Sequence, residues 1–253
     1  MAALTICRFT LVKALRERVY LLFLLMTLVF IAGGGALSFH NTGVQLKFQK
    51  DVAFLCISGF GFLLCLFQAT ELLPHELETR GVHFLLSKPV RRLDLVLGKY
   101  LALLAVLAAT LVPLSAELFG MVWLYSGQPE WRLLVGAALI GVELAVFGAA
   151  ILLLSTLLTR LITFFASIFL YVSAHLSDWI VTSFLASSPT WLREPARVVL
   201  AVVPDLSHFD SRYLVVHDYD VPAGFVLWLL AYAAVYAALF LLAARWVLEA
   251  REY

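Results

Sequence analysis

The stretch at residues 133–158, LLVGAALIGVELAVFGAAILLLSTLL, decides the fold class. Its 26 residues carry a single charge, Glu143. A helix of about 20 apolar residues crosses the roughly 30 Å hydrocarbon core of a bilayer, and lipid offers the backbone no hydrogen-bond partner outside the helix itself. The stretch therefore predicts a transmembrane helix.

The composition of the whole chain agrees with this stretch. Of 253 residues 63% are hydrophobic and 14% are charged, and the mean hydropathy is +0.96. A soluble fold of this size could not bury so much apolar surface. The net charge of +1 gives no field that would attract nucleic acid. The three cysteines predict neither a disulfide nor a metal site.

Six stretches are long and apolar enough to cross a membrane, which predicts an all-α polytopic membrane protein. They are residues 20–36, 52–69, 100–125, 133–158, 161–185 and 223–247.

The positive charges predict the orientation of these spans. With both termini on the same side, 12 of the 18 Lys and Arg residues fall on that side and 6 on the other. Since short cytoplasmic loops are enriched in Lys and Arg, both termini are predicted in the cytoplasm, and the protein in the cytoplasmic membrane.

Two segments outside the spans carry further predictions. Residues 1–19 are predicted to form an interfacial helix on the inner leaflet, with a charged extension of the first span as the alternative. Residues 186–222 form the longest outer segment. Their apolar run 197–204 is too short to cross, so a re-entrant or interfacial helix is predicted there. The His and Asp residues that follow are loosely spaced and include no soft ligand, so a solvated loop is favoured over a metal site.

The cytoplasmic segment 70–99 is too patterned for a simple connector. Pro74 favours helix initiation, and carboxylates at Glu76 and Glu78 suit the first turn of a helix. Pro89 breaks that helix before a basic entry into the third span. The alternative is a solvated loop that carries Lys and Arg only because it is cytoplasmic.

This segment resembles the signature of type-2 ABC exporter permeases, and most closely the group that contains the permease of the nitrous-oxide-reductase maturation transporter. The similarity lies in Glu76-x-Glu78-x-Arg80, in Leu85-Leu86-Ser87-Lys88-Pro89-x-x-Arg92 and in Gly98-Lys99-Tyr100. It implies a single permease domain in which 70–99 is the coupling helix that inserts into an ATPase. The residues it assigns to ATPase coupling are Glu76, Glu78, Arg80, Ser87, Pro89, Arg92 and Lys99.

The chain itself has no nucleotide-binding motif. Its one Gly-Lys pair, Gly98-Lys99, is followed by Tyr100, whereas a P-loop needs Ser or Thr there. We therefore expect no enzymatic activity and no cofactor in this chain, with ATP and Mg²⁺ bound by a separate ATPase. The implied assembly is two permease chains, in a homodimer, with two ATPase chains, and an extracytoplasmic accessory protein as a further partner.

Ionisable groups inside the spans are few, and each needs a partner or a wet cavity. Glu117, Glu143, His175 and Asp178 are the candidates for a translocation path or a dimer seam. An ordinary interhelical hydrogen bond is the alternative for Glu143, and an interfacial position for His175 and Asp178.

Other functions remain open. A carrier driven by an ion gradient would concentrate ionisable groups near the midplane, where only Glu143 is predicted. A membrane assembly or scaffold protein is the remaining alternative. An enzyme is disfavoured because Thr79 stands where a zinc protease needs its second His.

Overall fold

The chain is described by a computed structural model that covers residues 2–16, 18–36, 42–72, 92–177, 204–210, 212–217 and 219–250. Within these ranges the protein is helical and contains no strand. The all-α membrane fold that the sequence predicts is confirmed.

The helices are numbered in chain order. They are α1 (Ala2–Arg16), α2 (Arg18–Ala36), α3 (Thr42–Leu72), α4 (Arg92–Ser126), α5 (Arg132–Leu157), α6 (Arg160–His175), α7 (Arg212–Val216) and α8 (Ala223–Ala250), with a 3-10 turn at Ser207–Phe209 between α6 and α7.

Four of these helices are long and apolar enough to cross a membrane, and they correspond to the second, third, fourth and sixth predicted spans. The helices at the first and fifth positions are apolar but shorter, at Tyr20–Gly33 and Arg160–His175. The fourth span matches its prediction within one residue at each end.

Helix α5 lies at the centre of the bundle. It packs against α3, α4, α6 and α8, and α8 in turn has most of its surface exposed. Small residues allow the close approach: a Cβ added to Gly148 would lie 2.5 Å from a Leu103 methyl, and one added to Gly61 would lie 2.7 Å from a Leu144 methyl. The interior of the protein is therefore a set of helix contacts around α5.

We call the face of the bundle where α5 begins the Arg132 end, and the opposite face, where α6 begins, the Arg160 end. At the Arg132 end, α4 closes with Gly127, whose φ of 71° is the left-handed conformation that favours glycine after a helix. The buried ammonium of Lys50 lies 2.5 Å from the Glu130 carboxylate in the loop between α4 and α5.

Helix α6 ends at His175, inside the predicted fifth span, and residues 178–185 of that span lie outside the described residues. Leu176 leaves the helical conformation, with φ −97° and ψ 7°. The carbonyl of Ala174 instead accepts hydrogen bonds from the Ser177 hydroxyl and from the backbone N–H of Leu206, each 3.2 Å long. A contact from a distant part of the chain thus coincides with the helix end, which an apolar pattern alone cannot reveal.

Residues 204–217, without 211, form what we call the cap at the Arg132 end. Phe209, Val215 and Val216 are buried there, and α7 packs on α3 and α5. A Cβ added to Gly136 would lie 3.3 Å from a Val215 methyl. The predicted run 197–204 lies outside the described residues except for Pro204.

Helix α1 packs along α4 and also contacts α2. Ala14 is buried, whereas Leu4 and Phe9 are exposed. One apolar face therefore meets the protein and the other is left to face lipid, which suits the interfacial position that the sequence predicts.

Candidate functional site

The clearest polar site among the described residues is formed by Glu143 of α5 with Tyr171 and His175 of α6, which we call the Glu143 cluster. The Tyr171 hydroxyl donates a 2.9 Å hydrogen bond to Glu143 Oε1. His175 Nε2 lies 3.3 Å from the same oxygen, and its Nδ1 lies 3.1 Å from the Tyr171 carbonyl oxygen. Glu143 is 3% exposed, so its carboxylate depends on these contacts in place of water.

Aromatic packing fixes the phenol of Tyr171. Its ring centroid lies 4.2 Å from that of Phe62 and 5.0 Å from that of Phe147, while the His175 ring lies 4.3 Å away on α6. Because the tyrosine cannot turn away without breaking these contacts, its hydroxyl is held toward α5.

The helix geometry explains why Glu143 and His175 meet. From Leu157 back to Glu143, α5 rises by about 21 Å, and from Arg160 forward to His175, α6 rises by about 22 Å. Since the two helices are joined at 158–159, both side chains reach the same height. The part of α5 that continues beyond this height is covered by the cap instead of by α6.

The cap brings a second charged pair to the cluster. Arg212 Nε and Nη2 donate hydrogen bonds of 2.8 Å to the two carboxylate oxygens of Asp210. The hydrogen bond to Asp210 is the main cause that raises the pKa of Arg212, burial opposes it, and the charge of Glu143 adds to the rise. The guanidinium is therefore within electrostatic reach of the buried carboxylate.

The pKa of Asp210 reflects the same arrangement. Burial alone would raise it, but the hydrogen bonds and charge of Arg212, with a smaller contribution from His175, bring the net pKa below its ordinary value. Asp210 therefore stays ionised at neutral pH. The Asp210–Arg212 pair of the cap therefore interacts electrostatically with the Glu143 cluster.

The structure brings together only part of the predicted set. Glu143 and His175 are in contact, whereas Asp178 lies outside the described residues. Glu117 is on α4, and its Oε2 is buried with no hydrogen-bond partner in the described part of the chain. No hydrogen bond or ion pair found among those residues joins Glu117 to the Glu143 cluster.

Two participants were not predicted. Tyr171 precedes His175 by one helical turn and shares its face, so the i, i+4 spacing was a usable signal. Arg212 is far from Glu143 in the sequence, and only the folding of the cap onto α5 brings it near.

The residues predicted to couple to an ATPase fall mostly outside this description. Glu76, Glu78, Arg80, Ser87 and Pro89 lie between the described ranges 42–72 and 92–177, and Arg92 is the first residue of α4. Lys99 is inside α4, and its side chain is 2% exposed.

No group of three or more metal-ligating side chains occurs among the residues that the structure describes. His208 instead contacts Asp205 at 3.2 Å, and Asp205 Oδ1 also accepts hydrogen bonds from the backbone and hydroxyl of Ser207. These contacts stabilise the 3-10 turn of the cap.

Long apolar helices around a central span, with a small buried polar cluster, define a multi-pass integral membrane protein. The comparison with known families gives the class more narrowly, because residues 5–187 match the family described as ABC-2 family transporter protein. This match covers more than half of the chain, so the protein belongs to the ABC-2 transporter family and is a permease subunit of an ABC transporter. No curated protein matches the chain.

Membership in this family implies association with an ABC ATPase subunit and with the bilayer. The family consists of transmembrane transporter components that are not themselves catalytic.

Proposed function

We propose that this chain is the permease of an ABC exporter, that it forms a homodimer in the cytoplasmic membrane with both termini inside, and that two ATPase chains drive it. The observation that supports this proposal is the family match, whose bounds, residues 5 and 187, enclose α3, the segment 73–91 and α4. The similarity to the nitrous-oxide-reductase maturation group remains part of the proposal.

The coupling element in this proposal is the segment 70–99, with Glu76, Glu78 and Arg80 facing the ATPase. Its position supports the assignment, because the segment connects two helices that pack against each other and against α5. A push on this connection would move α3 and α4 relative to α5. ATP and Mg²⁺ belong to the partner in this scheme.

The translocation path in the proposal includes the Glu143 cluster. Glu143 is buried within one chain and its contacts come from that chain, which favours a path over a seam between two chains. The cap with Asp210 and Arg212 closes the path at the Arg132 end. Movement of α5 would separate the cap from the cluster and expose the carboxylate.

A charge reversal tests the coupling assignment. We expect the double variant Glu76→Lys, Glu78→Lys to lose co-purification with the ATPase and to lose ATP hydrolysis by the complex. The reason is that two ammonium groups would replace the two carboxylates of the proposed contact surface. Membrane insertion should be unchanged, as judged by the amount of protein in the membrane fraction.

Glu249→Lys is the matched control. Glu249 is an exposed carboxylate that pairs with Arg245 near the last turn of α8, toward the Arg160 end. This control should retain the ATPase. If the double variant also retains it and hydrolyses ATP normally, the segment does not couple the two proteins.

A further inference from the structure

A second site lies at the Arg160 end, on the opposite side of the bundle from the cap. A cavity of about 390 Å³ lies between the last turns of α3 and the first turn of α6. This volume falls within the range of small-molecule sites. The described residues that line it are Phe67, Thr70, Thr159, Arg160, Leu161 and Phe164.

One wall of this cavity is suited to an anion. Arg160 contributes a guanidinium at the first position of α6. Thr159 is extended at the cap position, and its side chain forms no capping hydrogen bond with the helix. The positive end of the α6 dipole and a guanidinium are therefore both next to the cavity.

The rest of the described lining is mostly apolar. The rings of Phe67 and Phe164 lie 5.5 Å apart and join α3 to α6. The Thr70 hydroxyl donates to carbonyl oxygens of its own helix, so on this side it offers no donor to a ligand. A small hydrophilic anion would not contact this aromatic surface, so the lining favours a ligand that also has an apolar part.

The apolar surface continues along α6 outside the cavity. Leu161 is 69% exposed, Phe165 62% and Phe169 76%, and they lie on one face of the helix. Buried Thr163 and Ser167 lie on the face turned toward the bundle. A ligand with an anionic head in the cavity would thus have a continuous apolar track for a hydrocarbon chain.

From these observations we infer that the cavity binds the headgroup of an anionic glycerophospholipid, with its phosphate at Arg160 and the start of α6 and an acyl chain along Leu161, Phe165 and Phe169. The cavity lies at a helix end, which is the depth at which lipid phosphates occur. Binding there requires neither ATP nor a partner chain. The lipid would join α3 to α6 directly before the chain enters the segment 73–91.

The test measures lipid binding to the purified full chain after detergent delipidation. Fluorescent phosphatidylglycerol is titrated in one arm and fluorescent phosphatidylcholine in the other, with inorganic phosphate as a competitor in a third. We expect phosphatidylglycerol to bind more tightly than phosphatidylcholine. Arg160→Gln should weaken phosphatidylglycerol binding about tenfold, since it removes a charge-assisted contact.

Arg245→Gln is the matched control, because it removes an equal charge on α8 toward the same end of the bundle but outside the cavity. It should leave binding unchanged. Leu161→Asp adds a second independent variant. A carboxylate in the first turn of a helix favours folding, yet it would repel an anionic headgroup.

Three results would overturn the inference. Equal loss in Arg160→Gln and Arg245→Gln would show general surface attraction. Equal affinity for both lipids would show that the cavity does not recognise the negative charge of the headgroup. Displacement by millimolar inorganic phosphate would assign the cavity to a soluble anion.

Discussion

At the scale of single residues, Glu143 is a carboxylate inside a transmembrane helix, is 3% exposed and has partners on a neighbouring helix. One oxygen of Glu143 accepts a hydrogen bond from the Tyr171 hydroxyl and lies close to His175. The positive charge of Arg212 in the cap interacts with the same carboxylate. An intramembrane carboxylate is costly unless it is compensated in this way. Such an environment suits a carboxylate that changes its hydrogen-bond partners during transport.

We expect Glu143→Gln and Tyr171→Phe to reduce ATP turnover of the reconstituted complex about tenfold, which corresponds to about 1.4 kcal/mol. The first change keeps the shape of the side chain but removes its charge, and the second removes the hydrogen bond. Steady-state ATP hydrolysis in liposomes measures the effect.

Tyr100→Phe controls for the loss of a structural bond. The Tyr100 hydroxyl donates a 3.2 Å hydrogen bond to the Ala145 carbonyl, so it also joins a neighbouring helix to α5. Both tyrosine variants should lower stability by about 0.6 kcal/mol, the average for a hydrogen bond between membrane helices. If Tyr100→Phe lowers ATP turnover as much as Tyr171→Phe does, the cluster has only a structural role.

At the scale of helices, the contact between the cap and α5 depends on the absence of a side chain at Gly136. A Cβ there would lie 3.0 Å from the Phe54 ring and 3.3 Å from Val215. We expect Gly136→Val to destabilise the protein by about 1 to 3 kcal/mol, since overpacking forces neighbouring groups to shift. Unfolding in SDS, followed by far-ultraviolet circular dichroism, measures the change.

Gly120→Val is the comparison at this scale. Gly120 is also in a long apolar helix, but a Cβ there would have no heavy atom within 4 Å. The two valines have the same intrinsic helix propensity, so the difference between them isolates the packing of Gly136 against Phe54 of α3 and Val215 of the cap. Equal stability of the two variants would mean that Phe54 and the cap both accommodate the added side chain without cost.

The sequence predicted helix centres better than helix ends. The apolar pattern located the fourth span because both of its ends coincide with Arg132 and the turn at 158–159. It missed the polar first turns of α3, where Lys50 is buried against Glu130 instead of ending the helix. It did not predict the interruption of the fifth span at Leu176, where the Ala174 carbonyl accepts a hydrogen bond from Leu206.

The candidate site could be predicted only in part from the sequence. Glu143 and His175 could be selected because charged groups in apolar helices are conspicuous. The contribution of Arg212 depends on a tertiary contact that no local pattern encodes. The roles predicted for Glu117, Asp178 and the coupling residues remain predictions.

At the scale of the whole molecule, the proposed orientation places the loop between α4 and α5 outside the cell and the turn between α5 and α6 in the cytoplasm. Gln128 and Thr159 are exposed at these two positions. In a background with Cys7, Cys56 and Cys65 replaced by Ala, single cysteines at these positions report the two faces.

We expect Gln128→Cys to react with a membrane-impermeant maleimide in intact cells, and Thr159→Cys to react only after permeabilisation. Gel-shift labelling measures both. The reverse pattern would place the segment 70–99 outside the cell and would remove the basis for coupling to a cytoplasmic ATPase.

The length of the central helix has a consequence for the surrounding membrane. Helix α5 has 26 residues and is therefore about 39 Å long, whereas a typical hydrocarbon core is about 30 Å thick. A helix longer than the core tilts, or the bilayer around it thickens. The thickness of the host bilayer should therefore influence the tilt of α5, and with it how easily the cap separates from this helix.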